Sequence, residues 1–351
     1  MSLATCPHDV LYLIFEEACT LDAGPTARAL SLTSRYVSLV VSPFLYRTVA
    51  VRGIAQVHRA RTHFLTLPAE QHKVRNLLVS DLAAEYMHIL PSLPTSPTER
   101  SVPDLQLRGK WGSEQAHKFQ QEVDALLVLL SPSLRTLACL TRNPWQPFIL
   151  CRLDSTPFPC LTSLILSQHS RIPLRSYTPI SETLCMPQLR RLHLSYNGTG
   201  YIDFQVGGVV RLFAHGCPQL AWLRLSDVDF YFGGKDALAR MLAEMLSVRM
   251  RQRTADENAA CVPQGVKGVV LQLVKSMRPS IEEQDARALH AMRDDFAGFL
   301  VLDDIRLLRT FEEWREEWLK VARSGYSAWE EPGKPSRAQS IRLRLFYGSL
   351  T

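Results

Sequence analysis

The chain has no close cysteine pairs. Its eight cysteines, Cys6, Cys19, Cys139, Cys151, Cys160, Cys185, Cys217 and Cys261, stand apart with no Cys-x-x-Cys among them, whereas zinc folds of the RING or ribbon kind draw their ligands from such pairs. No metal fold is therefore expected. A Gly-x-x-x-x-Gly-Lys phosphate loop is also missing, and Gly198-Thr199-Gly200 and Gly207-Gly208 lack the strand-then-helix setting of a phosphate cradle. Apolar runs such as Ala125 to Leu130 fall far short of the roughly 20 residues of a membrane-spanning helix. Met1-Ser2-Leu3-Ala4 opens no basic and apolar leader. These absences predict an intracellular protein, cytoplasmic or nuclear and not secreted, whose thiols are reduced core residues and whose Asn197-Gly198-Thr199 acceptor is unused. The net charge of +6 is modest for 351 residues and does not imply nucleic acid.

Candidate chemistry is equally sparse. Asp227-Val228-Asp229 lacks the glycine and closing glutamate of a calcium loop, and His215-Gly216-Cys217 is explained by helix termination better than by a thiol and imidazole couple. No cofactor and no catalytic residue is expected. An enzyme remains open only if the fold unites His193, His215 or Cys217 with a carboxylate in a pocket.

What the chain does have begins at its N-terminus. Pro7 suits a first helical position, and Leu11, Ile14, Phe15 and Ala18 recur at i, i+3, i+4 and i+7. Asp22-Ala23-Gly24-Pro25 ends that helix. A second short helix carries Ala29, Leu30 and Leu32, and a third carries Val37, Leu39, Val40 and Val41 before Pro43 stops it. Three helices this short bury too little for independent stability, so they need the rest of the chain, a partner, or both.

These residues resemble the F-box, the motif by which substrate receptors dock on the Skp-family adaptor of cullin-RING ubiquitin ligases. Pro7, Asp9, Val10, Leu11, Ile14 and Phe15 fill its first half, and Leu32, Ser34, Arg35 and Tyr36 match its second. Pro43 to Arg47 looks like the closing segment of fungal forms. Cys6 stands where a leucine is usual and Asp9 where a glutamate is more frequent. The resemblance implies adaptor binding through Pro7, Leu11, Ile14, Phe15, Leu32 and Arg35, with the cullin beyond the adaptor.

A second signal is repetition. The pattern apolar-x-x-apolar-x-apolar occurs at Leu134, Leu137, Cys139, at Leu161, Leu164, Leu166, at Leu189, Leu192, Leu194 and at Leu220, Leu223, Leu225, with first positions 27, 28 and 31 residues apart. Those spacings lie in or just beyond the leucine-rich-repeat period. Pro132, Pro159, Pro187 and Pro218 each stand two residues before the first leucine, and fainter copies occur at Val74, Leu77, Val79 and at Val266, Val269, Leu271. Helical stretches fall between, one capped at Ser113 with Phe119, Val123, Leu126, Leu127 and Leu130, another over Val206 to Phe213. A globular α/β domain with leucine-rich buried strands fits the same residues.

In a solenoid, residues alternating with the leucines point out of the concave face. Arg191, His193, Trp222 and Arg224 would then form a basic and aromatic patch for a protein substrate; ordinary surface arginines and an inward-packed Trp are the other reading. Beyond 230, Leu238 to Leu246, Ile281 to Leu300 and Phe311 to Val321 read as helices, the last opened by the capping box Thr310-Phe311-Glu312-Glu313. Residues 281–331 carry thirteen carboxylates against seven Lys or Arg, a charge excess usually carried on a solvated face.

The fold expected is α/β: an F-box-like helical module over 1–50, an irregular leucine-rich-repeat array of parallel strands and helices over 51–280, and a helical C-terminal cap over 281–351. The resemblance implies a substrate receptor of a cullin-RING ubiquitin ligase that itself catalyses nothing. The alternative is a repeat scaffold without that role.

Overall fold

The computed structural model describes residues 6–20, 24–68, 72–81, 102–141, 156–168, 185–196, 213, 216–228, 265–274, 300–306 and 310–324, with side chains throughout except at 102–113, 168, 196, 227–228, 273–274, 300–306 and 324. Its centre is one sheet of eight parallel strands in sequence order: β1 (Thr48–Arg52), β2 (Asn76–Ser80), β3 (Thr136–Thr141), β4 (Ser163–Gln168), β5 (Arg191–Tyr196), β6 (Trp222–Val228), β7 (Gly268–Val274) and β8 (Leu300–Arg306). Because parallel crossovers are right-handed, strands that never reverse their order put every connection on the same side. Helices α4 (Gly53–Thr66), between β1 and β2, and α5 (Val102–Leu130), between β2 and β3, accordingly pack on one face.

That face holds the main core, and the repeat pattern builds it. Leu77, Leu137, Leu164, Leu192, Leu223 and Val269 align across β2 to β7, as do Val79, Cys139, Leu166, Leu194, Leu225 and Leu271. Together with Val74, Leu134, Leu161, Leu189, Leu220 and Val266 they join Val57 and Phe64 of α4 and Phe119, Val123, Leu126, Leu127 and Leu130 of α5 in a single buried cluster. Outside it, Arg61 and His58 of α4 clamp Glu122 of α5 at 2.7 and 3.1 Å. The prolines have a definite task. In Phe158-Pro159-Cys160-Leu161, Met186-Pro187-Gln188-Leu189 and Cys217-Pro218-Gln219-Leu220 the leucine N–H donates to the first carbonyl at 3.3, 3.1 and 3.0 Å, so each proline holds position i+1 of a β-turn that aims the next strand.

Three sequence expectations change. β8 occupies Leu300–Arg306, inside the segment read as a wholly helical cap, so Asp303 and Asp304 lie on a strand and not on a helix. β1 crosses the boundary drawn at residue 50. Ser113 lies within α5 and does not start it. The stretch 238–246 and most of 281–300 lie outside the described residues.

The N-terminal helices α1 (His8–Thr20), α2 (Pro25–Ser31) and α3 (Arg35–Val41), closed by a single 3-10 turn at Ser42–Phe44, surround a small core of Leu11, Phe15, Cys19, Ala27, Val37, Val40, Val41 and Phe44. Gly24 adopts φ +117°, a conformation open to glycine, and Pro25 begins α2 immediately after it. Ser34 caps α3 by accepting from Val37 N at 3.2 Å. The segment Pro43 to Arg47 is the joint. Phe44 fills the helical core, Tyr46 packs on the sheet core, and Arg47 forms an ion pair with Glu16 of α1.

Leu192 is fully buried among these aligned rows. Leu192→Ala is expected to lower the unfolding free energy by about 3 kcal/mol, while Val128→Ala on the exposed side of α5 changes it by less than about 0.5 kcal/mol; urea unfolding of both variants checks this.

Candidate functional site

Among the described residues no crossover helix covers the opposite face of the sheet. Its outward positions in β1 to β4 are nevertheless apolar at Ala50, Leu78, Ala138, Leu140 and Ile165. The chain covers them with its own C-terminal helix α6 (Phe311–Ser324), whose Phe311, Trp314, Trp318 and Leu319 complete a second buried cluster. The capping box forms as the sequence predicts: Thr310 N donates to Glu313 Oε2 at 2.7 Å and Glu313 N to Thr310 Oγ1 at 3.3 Å. The helix lies across the face of the array, where the sequence reading expected a cap on its end. It also touches α1.

Polar contacts fix α6 along the sheet. At β1, Arg52 stacks its guanidinium 3.5 Å from the Phe311 ring centroid and reaches Glu312 at 3.3 Å. At β5 the His193 ring lies 5.0 Å from that of Trp314, and its Nδ1 is 3.3 Å from Glu317 Oε1. At β6, Arg224 Nη1 donates to the same Glu317 oxygen at 3.2 Å and Nη2 to Gln272 of β7 at 3.1 Å. His193 Nε2 is 2.7 Å from Ser226 Oγ.

The patch read as presented to a substrate is therefore divided. His193 is 0 % and Arg224 6 % exposed, both beneath α6, and the physical reason is that Glu317 brings a carboxylate to the buried Arg224 guanidinium and lies 3.3 Å from the His193 ring nitrogen. Arg191 and Trp222 remain half-buried at the start of β5 and β6, with Arg191 Nη1 donating to Ser163 Oγ at 3.1 Å. The sequence carried a signal that was missed: Leu78, Leu140 and Ile165 make β2 to β4 apolar on both faces, the pattern of a sheet covered on both sides.

Ser226, His193 and Glu317 follow the order of a nucleophile, a base and a carboxylate. Both Ser226 and His193 are fully buried, and Glu317 is shared with Arg224, so its charge is already met. This geometry holds α6 against the sheet. Cys217 is buried and its thiol is pushed up to about 12 by burial, first, and by Cys185; Cys139 is likewise pushed up to about 12, by burial and then Asp124. Activated thiols are shifted the other way. His215 lies outside the described residues, and among those described no group of three potential metal ligands occurs and no helix is long and apolar enough to cross a membrane.

The second candidate surface is the outside of α1 to α3. Of the six residues implied by the F-box resemblance, Leu11 and Phe15 are buried in the small core, while Pro7, Ile14, Leu32 and Arg35 are exposed. Ile14 is 52 % exposed beside Val10 and Leu13, and Leu32 at 79 % and Leu39 at 73 % accompany Tyr36. Val10, Leu13, Tyr36 and Leu39 were missed as contact candidates because periodicity does not say which stripe of a short helix faces inward. No protein-family model, curated protein or solved structure matches the chain.

Glu317→Gln removes the carboxylate from buried Arg224 and is expected to cost about 3 kcal/mol of stability, whereas Glu316→Gln on the exposed side of α6 is neutral to within about 0.5 kcal/mol; denaturant unfolding separates the two. With a maleimide at pH 7, peptide mapping should find exposed Cys185 modified in the native protein and Cys139 and Cys217 modified only after unfolding.

Proposed function

We propose that the chain is an adaptor-docking substrate receptor, its N-terminal helices binding a Skp-family adaptor and its sheet presenting a protein substrate to a cullin-RING ubiquitin ligase. The observation that carries this reading is the outer surface of the three helices. Val10, Leu13 and Ile14 recur at i, i+3 and i+4 on the exposed side of α1, and Tyr36 and Leu39 stand one turn apart on α3, with Leu32 just before it. Each is exposed although the same helices bury a separate apolar set. Clustered exposed apolar residues mark a protein interface. In this reading Ile14, Leu32, Pro7 and Arg35 contact the adaptor, and Leu11 and Phe15 hold the helices in the shape that presents them.

Transfer of ubiquitin would then be a matter of proximity, with the chemistry on other subunits. The substrate surface in this reading includes Arg191 and Trp222, since α6 occupies the face above His193 and Arg224. A repeat scaffold with no ligase role is the second reading. It is favoured by the Arg47–Glu16 pair and by the contact of α1 with α6, which would suffice if the helices only close the β1 edge of the sheet.

Ile14→Asp combined with Leu39→Asp should abolish co-purification with a Skp-family adaptor, a loss of about 2 kcal/mol or more per contact residue, with an unchanged unfolding midpoint. Adaptor recovery equal to that of the unmodified chain, or no adaptor binding by the unmodified chain, would leave the scaffold reading. Substitution of Leu11 is unsuitable for this test, because its side chain is fully buried and its loss unfolds the helices.

A further inference from the structure

Just before each strand, a row of residues crosses the sheet edge, and it is basic. Arg75 N donates to Arg47 O at 2.9 Å, Arg135 N to Arg75 O at 2.7 Å, Thr162 N to Arg135 O at 2.8 Å, Arg190 N to Thr162 O at 3.0 Å, Ala221 N to Arg190 O at 2.9 Å and Lys267 N to Ala221 O at 2.7 Å. These bonds set Arg47, Arg75, Arg135, Thr162, Arg190, Ala221 and Lys267 side by side, five cations and no carboxylate. Like charges opposite one another on neighbouring strands oppose folding. Burial, with the nearby guanidinia of Arg47 and Arg135, lowers the Arg75 pKa below the ordinary arginine value.

Among the described residues only the first rungs are compensated. Arg47 is paired with Glu16, and Glu16 and Tyr12 of α1 also act on Arg75. From β3 onward Arg135, Arg190 and Lys267 are exposed, and no carboxylate among the described residues forms an ion pair with them. Half-buried Arg191 and Trp222 border the same row.

We propose that this edge binds an extended acidic polypeptide segment. Strands lie about 4.8 Å apart, so Arg135, Arg190 and Lys267, each two strands from the next, are about 10 Å apart; three residues of extended chain span about the same distance. In the polyproline II form of such a segment three residues make one turn and rise about 9 Å, so carboxylates at i, i+3 and i+6 stay on one face and meet the three cations in turn, and Trp222 offers an apolar surface beside the middle one. A nucleic acid fits less well, since its binding draws on many phosphate contacts and on aromatic side chains for base stacking, and the exposed part of this row has three cations and one neighbouring aromatic. The surface stands whether or not α1 to α3 dock an adaptor.

The test uses the full chain and a fluorescent peptide of about eight glutamates at low salt, followed by anisotropy. The unmodified chain is expected to bind, with affinity falling as salt rises, and Arg135→Glu with Arg190→Glu should weaken binding about tenfold or more at an unchanged unfolding midpoint; Arg135→Lys with Arg190→Lys should retain it. Lys267→Glu is an independent arm that should weaken binding in the same direction. The Ile14→Asp, Leu39→Asp chain should bind the peptide normally, which separates this surface from the adaptor site. The proposal is overturned if the unmodified chain does not bind, if the charge reversals leave binding unchanged, or if a thymidylate octamer binds more tightly than the peptide.

Discussion

A parallel sheet whose strands never reverse order is covered by its crossovers on one face only. Everything else about this protein depends on what meets the other face. In β1 to β4 that face is apolar, so exposure of Ala50, Leu78, Ala138, Leu140 and Ile165 would leave a continuous hydrophobic strip across four strands. Helix α6 removes it, and its two tryptophans are the largest fully buried side chains described.

Apolar burial explains why α6 lies on the sheet but not where along it. The position is fixed by charge. Arg52 holds the first turn, and Glu317 is shared by His193 and Arg224 about one and a half turns later. Buried ion pairs contribute little net stability against well-packed apolar residues of the same volume, yet removing one partner is costly. A shifted α6 would leave Arg224 buried without its carboxylate, so the pair selects one register out of several that the aromatic residues alone would accept.

The same separation of roles runs through α1. Leu11, Phe15 and Cys19 at i, i+4 and i+8 make the inner stripe, and Val10, Leu13 and Ile14 the outer one. A helix apolar on both sides has two surfaces to satisfy, and the described residues cover only one. The basic row at the strand starts repeats this logic in electrostatics: Glu16 meets Arg47, and the cations farther along the edge face solvent. Two surfaces, one apolar and one cationic, are thus left by the fold on neighbouring parts of the molecule.

Local sequence determined β2 to β7, the turns that enter them and the start of α6. Apolar residues spaced by three and two specify a buried strand, and six such units emerged in register, four of them with a proline two residues ahead. Thr310 and Glu313 specify their cap because both partners lie within one turn. β8 escaped notice because it begins where the helical spacing read over Ile281 to Leu300 ends, and it joins the sheet by pairing with Val269 to Val274, some thirty residues earlier. Tertiary structure alone decided which stripe of α1 faces inward, that α6 lies over the sheet, and that His193 and Arg224 meet Glu317. Those outcomes depend on contacts between segments about one hundred residues apart or more, or on a choice between two apolar faces that local periodicity leaves equal.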